Sequence, residues 1–164
     1  MRHLWLWAAA VGLIAAPAAA QSNWPTYGGS DWSQRWSTLT QITTANVSHL
    51  VPRMMFQTGT SKLGSFENTP IVIDGKMYVT TPNSEAIIAY DLKTKKQLWR
   101  HEPKVGTFIA CCGPVNRGVA VGGSNVFVGT LDGRVLALRL QHGHRQAGQA
   151  LVLDSRAEGR PHLR

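Results

Sequence analysis

The chain has two cysteines and they are neighbours, Cys111-Cys112. Joined to each other, adjacent cysteines close an eight-membered ring and strain the peptide between them. Their Cα atoms then lie ~3.8 Å apart across a trans peptide, short of the ~4.4–6.8 Å usual for a disulfide. Strain of that kind suits a rigid, flat platform against a ligand. Two free or separately bonded thiols are the other possibility, and spacing alone leaves both open. Five residues past Cys112 stands Arg117, in Cys111-Cys112-Gly113-Pro114-Val115-Asn116-Arg117-Gly118. A guanidinium where a loop meets a strand offers a planar fork of donors to a carboxylate or quinone oxygen. Its plainer role is that of a surface charge. Glu67, in Phe66-Glu67-Asn68-Thr69-Pro70, also precedes a strand. A lone acid beside Phe and Pro otherwise serves as a solvated loop residue.

Short strands must hold these residues. Residues 21–50 read as loops and short extended pieces, with one helical turn near Thr44–His49. From there apolar runs of four to six residues alternate with turn signals. They predict strands near Leu50–Gln57, Pro70–Ile73, Lys76–Thr80, Ala86–Asp91 and Gln97–Glu102. Asp74-Gly75, two residues between two runs, is a strong hairpin signal. A second set follows with strands at Gly118–Val121, Val126–Thr130 and Arg134–Leu138, and turns at Gly122–Asn125 and Asp132-Gly133. Tyr78-Val79 aligns with Phe127-Val128, and Ala89-Tyr90 with Ala137-Leu138. A repeat of about fifty residues with four short strands marks a propeller blade. The fold expected is all-β, a partial β-propeller with fewer than two blades.

Composition agrees. The 164 residues are 43% hydrophobic and 16% charged, with 16 Gly and 8 Pro. That excludes a charged disordered chain and a multi-span membrane protein. The 6 Trp outnumber the 4 Phe and 3 Tyr, which points to a repeated packing role for Trp. The net charge of +8 would raise nucleic acid as a partner. No basic run carries interleaved aromatics, so none is expected. Residues 1–20 have the layout of a secretory signal peptide: basic Arg2, an apolar Leu4–Ala16, then Pro17 and Ala18-Ala19-Ala20 before Gln21. A membrane anchor is the alternative, but the apolar stretch is short for a span. The mature chain is expected in the periplasm, not membrane-spanning.

Residues 21–138 form the body. Residues 139–164 depart from it abruptly, with no Trp, Phe, Tyr or Lys, yet 5 of the 17 basic residues and 3 of the 6 His. No Asp follows Ala137-Leu138 and no Leu-Trp closes the second repeat. The segment reads as a frameshifted or aberrant tail, poorly packed, or else as a natural basic tail. His142 and His144 read as an exposed pair.

The pattern resembles a known family. Asn23-Trp24-Pro25-Thr26-Tyr27-Gly28-Gly29, Gln41-Ile42, Asn46-Val47, Phe66–Pro70, the Asp74-Gly75 hairpin, Leu98-Trp99-Arg100, Cys111-Cys112 with Asn116-Arg117-Gly118, and Gly129-Thr130-Leu131-Asp132-Gly133 follow the order of the quinoprotein alcohol dehydrogenases of the methanol/ethanol type. The resemblance covers about residues 22–138. It implies an eight-bladed propeller holding pyrroloquinoline quinone (PQQ) near its axis. It further implies a vicinal disulfide of Cys111 and Cys112 packed on one quinone face, contacts to the cofactor from Glu67 and Arg117, and a blade-docking role for Trp99. Such enzymes are periplasmic, hold Ca²⁺ or a lanthanide beside the quinone, oxidise small alcohols and pass electrons to a cytochrome c. The family's catalytic Asp, its metal-binding Glu and Asn, and the Trp on the other quinone face have no counterparts here. Asp154 and Glu158 lie in the unmatched tail and receive no role. The chain is therefore expected to be an inactive N-terminal piece. A cofactor-free exported propeller used in envelope protein assembly would share the blade motifs. It would not need Cys111-Cys112, Glu67 and Arg117 together.

Overall fold

The computed structural model describes residues 23–60, 65–106 and 113–140, and the backbone of Leu151–Asp154. The expectations for residues 1–20, for Cys111-Cys112, for His142 and His144, and for 155–164 concern residues outside that set.

Two four-stranded antiparallel meanders make up the fold. The first runs β1 (Ile71–Ile73), β2 (Lys76–Thr80), β3 (Ile87–Asp91), β4 (Lys96–His101), and the second β5 (Ala120–Gly122), β6 (Asn125–Gly129), β7 (Arg134–Arg139), β8 (Leu151–Asp154). Asp74 and Gly75 join β1 to β2 with φ of 49° and 70°. Both central positions being left-handed matches the right-handed twist of the strands, which is why Asp-Gly suits this turn. The Asp91 carboxylate accepts from the Lys93 and Thr94 amides at 2.9 and 2.7 Å, closing the polar turn into β4. Trp24 exchanges backbone hydrogen bonds with Val72 at 2.7 and 3.0 Å and so covers the outer edge of β1.

The fifty-residue repeat is visible in the register. Tyr78 faces Ala89 in the first sheet and Phe127 faces Ala137 in the second. The core lies on the seam between the sheets. Tyr78, Ile87 and Ala89 meet Val126, Val128, Leu136 and Leu138, with Leu98 and Trp99 packed against them. Trp99 thus sits where blade docking was expected, 6.0 Å from the Tyr78 ring centroid. The other face of the first sheet buries Val79, Ala86, Ile88 and Tyr90 beneath Phe56 and Met77.

Two expectations need correction. Residues 50–57 are not a strand. Their apolar runs are real, but among the described residues no strand pairs with them. Side chains pin the segment instead. Phe56 stacks on Tyr90 at 3.8 Å between centroids, and Arg100 donates to the Thr58 carbonyl. The second repeat is also not left one strand short. β7 runs on to Arg139, and Leu151–Asp154 pairs antiparallel with it, Leu136 opposite Val152. A run of Leu-Val-Leu is β-favouring, and it occupies an edge of β7 that would otherwise be unpaired.

Candidate functional site

Glu67 and Arg117 arrive from equivalent places in the two repeats. Each lies in the loop that feeds the first strand of its sheet, β1 or β5. Their side chains meet, Arg117 Nη2 to Glu67 Oε2 at 3.2 Å. The pair stands out in solvent, with the Arg117 side chain 80% exposed and Glu67 37%. An ion pair so exposed adds only ~0–1 kcal/mol to stability. The Arg117 guanidinium is mostly open to solvent, where a ligand can reach its donors. Phe66, beside Glu67, is exposed as well and adds apolar surface.

What holds this exposed pair is buried. The Thr69 amide donates to the Arg117 carbonyl at 3.4 Å, joining the loops. Gly118 lies between them with φ of +118°, and a Cβ there would stand 3.1 Å from the Thr69 carbonyl oxygen. Only glycine accepts both the conformation and the approach. Asn116 is buried beneath Arg117 and uses both ends of its amide. Its Oδ1 accepts from Thr80 Oγ1 at 2.9 Å and from the Gly118 amide at 2.8 Å. Its Nδ2 donates to Ser84 Oγ at 2.7 Å and to the Gly129 carbonyl at 2.9 Å. Ser84 belongs to the tight turn Pro82–Ser84 between β2 and β3, where Asn83 and Ser84 take φ of 59° and 51°. The Asn83 amide donates to the Pro114 carbonyl at 2.8 Å, fixing the loop on the other side.

A second cluster fixes the approach to the cysteines. The Asp132 carboxylate accepts from the Gly106 amide at 2.8 Å and from Arg134 Nε at 2.9 Å, and Thr130 Oγ1 donates to its other oxygen. Arg134 Nη2 donates to the Lys104 carbonyl at 2.6 Å. The hydrogen bond from Arg134, with those from Gly106 and Thr130, holds the Asp132 carboxyl well below the usual carboxylate range, against its partial burial. Residues 104–106 and 113–118 are therefore both tied to the second sheet.

Of the four residues picked out in the sequence, the structure brings Glu67 and Arg117 together, and Cys111 and Cys112 lie outside the described residues. Asn116, Thr80, Ser84 and Asp132 were missed as site residues. Asn116 stood inside the quoted motif, and a small amide just before a strand was its only local signal. Asp132 read as a turn residue alone. Among the described residues no group of three or more His, Cys, Asp or Glu side chains could hold a metal. None of the helices among them is long and apolar enough to cross a membrane.

Comparison with known proteins places this arrangement. A family model described as PQQ, glucose/ethanol/alcohol dehydrogenase, β-propeller domain, matches residues 24–151. A 1-butanol dehydrogenase (cytochrome c) of Thauera butanivorans is 43% identical over 139 residues, 83% of this chain and 20% of its own. A quinoprotein ethanol dehydrogenase of Pseudomonas aeruginosa is 36% identical over 155 residues, 86% of this chain and 25% of its own. The solved quinohemoprotein alcohol dehydrogenase of Comamonas testosteroni superposes with a TM-score of 0.71 at 33% identity, over 89% of this chain and 21% of that one. A europium-containing methanol dehydrogenase gives 0.72 at 31%, over 83% and 23%. The chain thus spans only about a fifth to a quarter of these relatives. By the family match over most of its length, and by two sheets of the repeat that match describes, the chain belongs to the PQQ-type glucose/ethanol/alcohol dehydrogenase β-propeller family.

Proposed function

We propose that this chain supplies one wall of a PQQ site in a periplasmic alcohol dehydrogenase that oxidises small alcohols to aldehydes and passes the electrons to a cytochrome c. One observation carries the reading. Glu67 and Arg117, from the loops that feed different sheets, form an exposed pair over a buried polar scaffold. PQQ is a flat quinone bearing several carboxylates, and this donor set fits one polar edge of it. Arg117 would donate to quinone or carboxylate oxygens, and Glu67 would hold the Arg117 fork and accept from a ring donor. Cys111 and Cys112 would cover one ring face as a vicinal disulfide, as the resemblance implies. Once bound, PQQ supplies a two-electron acceptor for the hydride of the alcohol. Ca²⁺ or a lanthanide beside it would take its ligands from outside the matched motifs, as would the base that removes the hydroxyl proton. The 164 residues alone are accordingly proposed not to turn over alcohol. Residues 1–20 are proposed as the export signal, which cell fractionation checks directly.

The reading is tested by titrating the full chain with PQQ and following the quinone absorbance. Arg117→Ala is expected to weaken binding about tenfold or more, in line with loss of a charge-assisted hydrogen bond. Glu67→Gln should weaken it less. If both variants bind PQQ as the parent does, the assignment fails. If the parent ignores PQQ but captures envelope proteins, the cofactor-free reading takes its place.

A further inference from the structure

The ion pair at the site is too exposed to hold itself in place. Arg117 is 80% exposed, and water competes for every donor it has. Yet Glu67 and Arg117 each stand next to an asparagine, Asn68 and Asn116, and both asparagines reach one residue. Asn68 Nδ2 donates to the Thr80 carbonyl oxygen. Thr80 Oγ1 donates to Asn116 Oδ1 at 2.9 Å. Thr80 is the last residue of β2 and is 1% exposed. The two loops therefore hang from a single buried strand end, one by its main chain and one by its side chain. A valine would fill this position with the same shape and suit a strand as well. The hydroxyl matters for its bond to Asn116: without it Asn116 Oδ1 keeps only the Gly118 amide as a donor, and the side-chain tie between this loop and the end of β2 is lost.

We infer that Thr80, with Asn68 and Asn116 on either side of it, is a positioning node that sets Glu67 and Arg117 in register with each other. The node acts through the two asparagines and touches no ligand. Its consequence for PQQ rests on the cofactor reading above, whereas its effect on the two loops does not.

Two measurements on the full chain separate these claims. The first is amide hydrogen exchange at Thr69 and Gly118. The Thr69 amide bonds the Arg117 carbonyl, and the Gly118 amide bonds Asn116 Oδ1. Thr80→Val is expected to speed exchange at both amides by about tenfold, with β3 amides unchanged. Thr80→Ser keeps the hydroxyl and should restore both. Asn68→Ala removes the side-chain bond to the Thr80 carbonyl and should speed exchange at Thr69 more than at Gly118. The second measurement is PQQ affinity, expected to fall roughly 3- to 10-fold in Thr80→Val and to return in Thr80→Ser. Ile88→Val, a core change on the other face of the first sheet, controls for general destabilisation.

The inference is overturned if Thr80→Val leaves Thr69 and Gly118 protected. It is overturned too if Ile88→Val loosens these amides as much, or if serine fails to rescue them. Should the parent not bind PQQ at all while Thr80→Val still frees both amides, the cofactor reading falls and the node stands.

Discussion

A methyl group on Gly118 would press on the Thr69 carbonyl oxygen at 3.1 Å in a backbone conformation side chains avoid. Strain of that sort costs of order 1–3 kcal/mol. Gly118→Ala should therefore lower the unfolding free energy by about that amount, measured by denaturant titration. It should also part the loops that carry Glu67 and Arg117. A loss of under ~0.5 kcal/mol would show that the loops separate freely. Asn116→Ala is expected to cost more, because it strands Thr80 Oγ1 and Ser84 Oγ in a buried place. Each unsatisfied group costs ~1–3 kcal/mol. These two positions mark how far the sequence could be read. Glu67 and Arg117 were legible because residue type and motif both pointed to them. Asn116 was not, because its partners sit at 80, 84, 118 and 129. A role assembled mostly from three distant places, with one neighbour at 118, leaves no periodic trace.

Strands with turn chemistry at both ends read well. Lys76–Thr80 has the bounds its sequence predicts, between an Asp-Gly turn and Thr81-Pro82. Where only the hydrophobic pattern spoke, the reading failed in both directions. Residues 50–57 carry apolar runs like a strand's but find no partner strand among the described residues. Leu151–Asp154 lies in unfamiliar sequence and does find one. A strand is a relation between two segments, and the pattern of one cannot report the other. The Asp132 cluster shows the same thing for electrostatics. Its carboxyl is held below its unfolded range, chiefly by Arg134. Such a group adds stability above the unfolded carboxylate pKa of ~3.9, and that addition drains away as pH falls toward the lower folded value. Asp132→Asn should thus reduce stability at neutral pH and flatten its fall below about pH 4, as followed by thermal melts across pH. A variant whose pH profile parallels the parent's would remove Asp132 from the account.

At the scale of the whole molecule, the two sheets stack head to tail. The first presents Tyr78, Ile87 and Ala89 to the seam, and the second presents the opposite side of the same repeat, Val126, Val128, Leu136 and Leu138. Such a contact uses two different surfaces and does not satisfy itself in one step. It goes on adding units until a ring closes. At two of the three equivalent positions the second sheet is more open than the first, Ala137 being buried like Ala89. Val135 is 39% exposed where its counterpart Ile87 is 0%, and Phe127 is only half-buried where Tyr78 is buried. Trp32, Trp36 and Met55 on the long N-terminal segment are exposed as well. An apolar face with this geometry fits the opposite face of another such sheet. This chain spans only a fifth to a quarter of the relatives it matches. Residues 21–164 expressed alone should therefore self-associate with rising concentration, as read by sedimentation velocity. Val135→Glu places a charge on the open face, outside the buried seam. It should return the protein toward monomer while the circular dichroism of the sheets is kept. Ile87→Glu puts the same charge into the buried seam and should unfold the pair of sheets. A parent that stays monomeric at all concentrations, or a Val135→Glu variant that associates just as strongly, would mean that the exposed face is not the surface by which the repeat continues.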